Sequence, residues 1–211
     1  MISFSTLTAF CIAVLFLLCS PGPNMAFIMT CGMQYGMRGS VAAALGIASA
    51  DIILTVLTAS GVSAIITAWP PSFDLIRYAG VLYLLWLAKK ALTIKPASAK
   101  NTRPGDVVIA PLRTVFMQSC LNSLLNPKAL LFFMVFLPQF VDARQGTVTQ
   151  QLLLLGLLLT AISTVFHATL GSFSVAIRNL LTRHQRLAQV QPYALAAVLI
   201  LLALRLVMME R

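Results

Sequence analysis

The chain has 211 residues, of which 59% are hydrophobic and 9% charged. Soluble domains carry roughly 25% charged residues, so a water-soluble globule is excluded and a polytopic, all-α membrane protein is expected. The net charge of +10 would suggest nucleic acid in a soluble chain. Here no basic soluble module exists to bind one, and the bases fall between apolar runs, which is the pattern of membrane orientation.

Six hydrophobic spans are expected, each near the roughly 20 residues a helix needs to cross hydrocarbon. The N-terminus lacks the basic residue and small-residue cleavage site of a signal peptide, so the first apolar run is read as span 1, about residues 4–30. It is interrupted by Ser20-Pro21-Gly22-Pro23-Asn24. Proline lacks the N–H that a helix needs and clashes with the preceding turn. In a bilayer such a break is tolerated only where protein or a wet cavity surrounds it, and broken helices point to transporter binding sites. Span 2 covers about 40–68 and ends at Trp69-Pro70-Pro71, and span 3 covers about 73–92. A polar linker follows, about 95–112. Span 4, about 113–140, is interrupted in turn by Asn126-Pro127. Span 5 covers about 149–177 and span 6 about 193–209.

The loops after spans 1, 3 and 5 hold Arg38, Lys89, Lys90, Lys95, Lys100, Arg103, Arg113, Arg178, Arg183 and Arg186; the opposite side holds only Arg77, Arg144, Arg205 and Arg211. The positive-inside rule makes the basic side cytoplasmic and both termini external. Spans 1 and 4 are both broken at proline, and each is followed by two further helices. Three spans per half reverse the orientation of the second half, so a 3+3 inverted repeat is expected. One transmembrane domain would fill residues 1–211, with halves about 1–94 and 113–211.

Asp51 is the one carboxylate well inside a span. A charged residue there costs roughly 2.5–3.5 kcal/mol on insertion scales, so it should face an interior and carry function. Thr55 and Thr58 follow on the same face, which Ala44 and Ala48 extend. The roles open to Asp51 are a proton or substrate-amine site, or a protonated acid bonding a neighbouring helix. On the adjoining face Gly39, Ala43, Gly46 and Ala50 form a small-residue stripe for close helix approach. Span 4 places Gln118, Asn122 and Asn126 four residues apart, with Ser119 and Ser123 beside them. Such amides can bind a zwitterion or tie helices together. Lys128 could receive a carboxylate near freed backbone N–H groups, pair with Asp51, or snorkel. Span 5 has a polar face of Thr160, Thr164, His167, Gly171 and Ser174. His167 is read first as a packing residue and second as a proton shuttle. His184 is read as a solvated residue of a basic loop.

Cys11, Cys19, Cys31 and Cys120 form neither C-x-x-C nor ligand spacing and are read as small packing residues. No hydrolase elbow, P-loop, H-E-x-x-H or paired catalytic carboxylates occur, so the chain is not expected to be an enzyme, and no metal or other cofactor is expected.

Pro21-Gly22-Pro23-Asn24 resembles a signature of the lysine exporter (LysE/RhtB) family of bacterial amino-acid exporters. So do Arg77-Tyr78-Ala79-Gly80-Val81-Leu82-Tyr83-Leu84-Leu85-Trp86 and Asn122-Ser123-Leu124-Leu125-Asn126-Pro127-Lys128-Ala129. Phe132-Phe133 and Leu137-Pro138-Gln139-Phe140-Val141 continue the pattern, and Asp51 matches an acidic position found in many members. The resemblance covers essentially the whole chain. It implies export of amino acids or close derivatives across the bacterial inner membrane, coupled to inward proton movement, without a cofactor. The neutral polar spans look more like the homoserine, threonine and leucine exporters than a carrier for lysine.

The expected substrate-binding set is Pro21, Gly22, Pro23, Asn24, Asp51, Asn122, Asn126, Pro127 and Lys128, with Asp51 also the proton-coupling group. The substrate carboxylate would meet a half-helix N-terminus after Asn24 or near Lys128, and its ammonium would compete with the proton at Asp51. The partners are the amino acid, protons and the lipid bilayer; small-residue faces also allow a homodimer. The competing readings are a metal-cation exporter, which needs further buried acids or soft ligands, and a membrane lipid-handling protein, which needs catalytic groups near a membrane face.

Overall fold

The computed structural model describes residues 2–20, 22–69, 110–142 and 146–177, with scattered helical positions within 74–92 and 193–207. Among these residues every regular element is helical. About half of expected spans 3 and 6, the linker up to residue 109, the basic loop 178–192 and Pro21 lie outside the described residues.

Helix α1, Phe4–Cys19, is capped by Ser3, whose hydroxyl accepts the Thr6 N–H at 3.2 Å. It stops where proline and glycine make continuation impossible, and Ser20 is extended. Helix α2 begins at Pro23, the first-turn position where the missing N–H costs nothing, and runs to Ala68. It is interrupted once, at Gly36, with φ 63° and ψ −152°, a region essentially restricted to glycine. The loop expected between spans 1 and 2 therefore reduces to one residue. Its glycines and polar residues read as a loop locally, but packing on a neighbouring helix keeps them helical. Ile28 on the first arm and Ser40 on the second both lie against Gly171 of α5, so the chain doubles back at Gly36 into a hairpin.

Helix α3, Leu112–Leu124, ends at the Leu125-Asn126 break. Asn126 caps α4, Pro127–Leu131, by accepting the Lys128 N–H at 3.0 Å, and Pro127 occupies the first turn. A π-turn, Phe132–Phe136, and a 3-10 turn, Leu137–Phe140, complete this span. Its two halves are bent by 56°. Helix α5, Val148–Ser172, follows a short loop. Gln151 holds that loop: its Oε1 accepts the Asp142 N–H at 3.0 Å and its Nε2 donates to the Asp142 carbonyl at 2.8 Å.

By length and composition, the stretch Pro23–Gly61, which the turn at Gly36 divides into two arms, and the helix Val148–Ser172 are apolar enough to cross a membrane, and the bent pair forms a third candidate. The surface is apolar. Ile52, Ile53, Val56 and Leu57 on α2 and Leu154, Leu157 and Val165 on α5 are exposed, while Ser40, Asp51, Thr55, Thr58, Ser163 and His167 are buried. That is a surface for hydrocarbon, with the polar groups turned inward.

Helix α2 packs on α5 and α3, and glycines set the distances. A Cβ on Gly46 would fall on Ser119 and the Phe116 carbonyl of α3; one on Gly156 would fall on the Thr55 side chain. Ala43 and Ala50, which flank Gly46 in the expected stripe, are fully buried. A second apolar cluster joins α1 to the π-turn and the 3-10 turn: Phe10 meets Phe140 of the 3-10 turn edge to face at 5.2 Å, and Phe132 lies 4.5 Å from Phe136 within the π-turn.

Candidate functional site

The two breaks meet. Lys128, two residues past the second, sends Nζ to the carbonyls of Leu17 and Ser20 at 2.9 Å each. Those carbonyls close α1, and the Leu17 carbonyl also accepts the Ser20 N–H at 3.1 Å. A cation there also complements the negative end of the helix dipole. The sequence alone left Lys128 three roles; the geometry adds a fourth, as the cap of the first broken helix.

Asn24, in the first turn of α2, collects the amide stripe of α3. Its Oδ1 accepts from Asn122 Nδ2 at 3.0 Å and Asn126 Nδ2 at 3.1 Å, and its own Nδ2 donates to Ser123 Oγ at 3.0 Å. The stripe thus ties helices together. Gln118, at the same spacing, is exposed and takes no part.

Around this junction lies a cavity of about 60 Å³. Gly22, Asn24, Asn126 and Lys128 line one side and Asp51 another; Ser163 and His167 come from α5. Apolar side chains complete it, among them Leu17, Met25, Phe132 and Phe133. Of the remaining expected residues, Asn122 acts through Asn24, and Pro23 and Pro127 start helices.

Asp51 is 4% exposed. The Thr55 hydroxyl donates to the backbone carbonyl of Asp51 at 2.7 Å. The Asp51 carboxyl shares the cavity with Ser163, whose hydroxyl lies 3.1 Å from His167 Nδ1. Ser163 escaped the sequence reading, although it stands three residues after Thr160 and four before His167, on the polar face already noted. Thr160 and Thr164 bond carbonyls of their own helix instead. The arrangement offers a carboxyl, a cation, amides and an apolar wall around one cavity. Among the described residues no group of three or more His, Cys, Asp or Glu is placed to hold a metal ion.

The family model described as LysE type translocator matches residues 15–210. The chain is 32% identical over 178 residues to the leucine efflux protein of Enterobacter sp. (strain 638), covering 84% of this chain and 83% of that one. It is 33% identical over 165 residues to the leucine efflux protein of Klebsiella pneumoniae, covering 77% of each. No solved structure matches it.

Proposed function

Because the chain belongs to the LysE type translocator family, we propose that the amino acid it exports is leucine or a close neutral relative such as threonine or homoserine. It is a membrane transporter rather than an enzyme. The observation that carries the choice of substrate is the cavity: one carboxyl, one ammonium and an apolar wall built from Leu17, Met25, Phe132 and Phe133. A zwitterion with an aliphatic side chain matches that lining. A second positive charge, as on lysine, would face Lys128 with only Asp51 to balance it among the lining residues.

In this reading the substrate ammonium meets Asp51, and its carboxylate is held near Gly22, Asn24 and Lys128, where amide and ammonium donors converge. Substrate and proton alternate at Asp51, giving antiport: proton entry from outside releases the amino acid, and proton loss to the cytoplasm resets the site. Pro21, Pro23 and Pro127 contribute by keeping the helices open there, and Asn122 and Asn126 by holding Asn24.

The architecture we assign is one domain of six spans with an inverted 3+3 repeat, halves about 1–94 and 113–211, the linker 95–112 and other basic loops cytoplasmic, and both termini external. The contact between the two proline-broken helices supports it. A homodimer is compatible with this plan through the apolar outer faces, since the small-residue stripe already serves α3 at Gly46.

Counterflow in proteoliposomes holding the purified protein tests this. Vesicles loaded with unlabelled leucine should accelerate uptake of labelled leucine, threonine and homoserine more weakly, and lysine least. Asp51→Asn should abolish acceleration by an imposed pH gradient. Silence across the neutral amino acids, or preference for lysine, overturns the substrate assignment.

A further inference from the structure

The break between α1 and α2 is poor in donors. Pro21 and Pro23 have no N–H to give, and the Ser20 N–H is spent on the Leu17 carbonyl at 3.1 Å. Helix α1 therefore ends on carbonyls that the following residues cannot fully serve, at the negative pole of a 16-residue helix. Leu17 and Ser20 are both buried.

The donor comes from far along the chain. Lys128 lies 111 positions after Leu17 and 108 after Ser20. An ammonium has three hydrogens, and two of them go to these carbonyls at 2.9 Å each. The side chain leaves a fixed backbone, since Asn126 caps α4 through the Lys128 N–H at 3.0 Å and Pro127 sits in the first turn. Gly22 lies alongside it: a Cβ there would stand 3.5 Å from Lys128 Cδ and 3.7 Å from Nζ. The break thus closes around the end of the lysine.

In secondary transporters with broken helices, freed carbonyls and half-helix C-terminal ends coordinate sodium ions or protons. The same parts meet here, with a broken helix, its terminal carbonyls and a single positive charge between them, but the charge is carried by a side chain. We propose that the end of α1 is a monovalent-cation site whose permanent occupant is the Lys128 ammonium, so that the break is held without a dissociable ion. Its distances are ordinary N–H···O lengths, so the class of free ligand it would take is a small alkylammonium. Transport then needs no sodium, and cutting back the lysine opens a site that such a cation can enter. The site concerns what closes α1, whatever amino acid the cavity carries.

Thermal unfolding of the purified protein in detergent, without amino acid, tests the site. Lys128→Ala should melt below wild type. Methylammonium chloride should raise its midpoint saturably by a few degrees. Tetramethylammonium chloride at the same ionic strength, a cation with no N–H, should not. Wild type, whose site is filled, and Lys128→Met, whose uncharged chain blocks it, should respond to neither salt. No rise in Lys128→Ala overturns the proposal, as does an equal rise in wild type, in Lys128→Met or with tetramethylammonium. If Lys128→Ala unfolds on purification, recovery of folded protein decides: methylammonium in the buffer should restore it and tetramethylammonium should not, and failure in both overturns the site. Leucine counterflow supplies the second arm. Wild type should run equally in sodium and in choline, and a sodium requirement overturns the proposal. Silence in both overturns the proposed function instead and leaves the melting result to decide the cation site.

Discussion

Asn24 ties the start of α2 to the second break. It holds two amide donors and gives one hydrogen bond, all to α3 and its C-terminal break. Hydrogen bonds between membrane helices average about 0.6 kcal/mol each. Asn122→Ala removes one of them and should cost about that much. Asn24→Ala removes three and leaves the buried Asn126 amide and the half-buried Asn122 amide without an acceptor, so roughly 2 kcal/mol is expected. Thermal unfolding in detergent should rank the two variants in that order; equal losses would show that the amides find other partners. The sequence made the stripe visible through its four-residue spacing but left open whether it served a solute or a helix. That choice depended on Asn24, about a hundred positions away. Lys128 was hidden for the same reason: nothing near it in the chain announces the Leu17 and Ser20 carbonyls.

At the scale of elements, the breaks were legible because their causes are local. Proline cannot donate, and Asn-Pro-Lys carries a cap, a first-turn proline and an N–H to be capped in three consecutive residues. That the turn expected between spans 1 and 2 narrows to Gly36 was not legible. Cys31-Gly32-Met33-Gln34-Tyr35-Gly36 has the composition of a loop, and only the close approach of Gly32 to Gly171 makes a helix there favourable. Close approach also yields a prediction. Gly46→Ala drives a methyl into the backbone carbonyl of Phe116, which cannot rotate away, so α2 and α3 must separate at a cost of about 1–3 kcal/mol. Gly61→Ala meets nothing within 4 Å and should be neutral or gain up to about 1 kcal/mol of helix propensity. Melting temperatures that fall for both would mean that the loss at Gly46 is not steric.

For the whole molecule the informative quantity is the size of the cavity. At about 60 Å³ it has room for a few waters, at roughly 10–15 Å³ each by this measure. Pockets that hold small ligands reach about 300–1,000 Å³. The cavity is therefore too small to hold leucine as it stands, and the walls that can part are those without continuous helix: the α1–α2 break and the π-turn carrying Phe132 and Phe133. Leucine should select the wider arrangement and stabilise it. Saturation at a hundred times the dissociation constant is worth about 2.7 kcal/mol, visible as a rise in unfolding midpoint that leucine produces and lysine does not.

The one-residue turn at Gly36 fixes something further. From Asn24 to Gly36 the first arm rises about 18 Å, and from Gly36 to Asp51 the second descends about 22 Å, at 1.5 Å per residue. The two residues reach the same cavity because these arms are nearly equal in length. Adding one residue to either arm would shift its end by about 1.5 Å and rotate it by about 100°, carrying Asn24 away from Asn126 or Asp51 away from Ser163. The stretch from 24 to 51 is in effect a measured calliper. Between Asn24 and Asp51 the chain can change its letters but not its length.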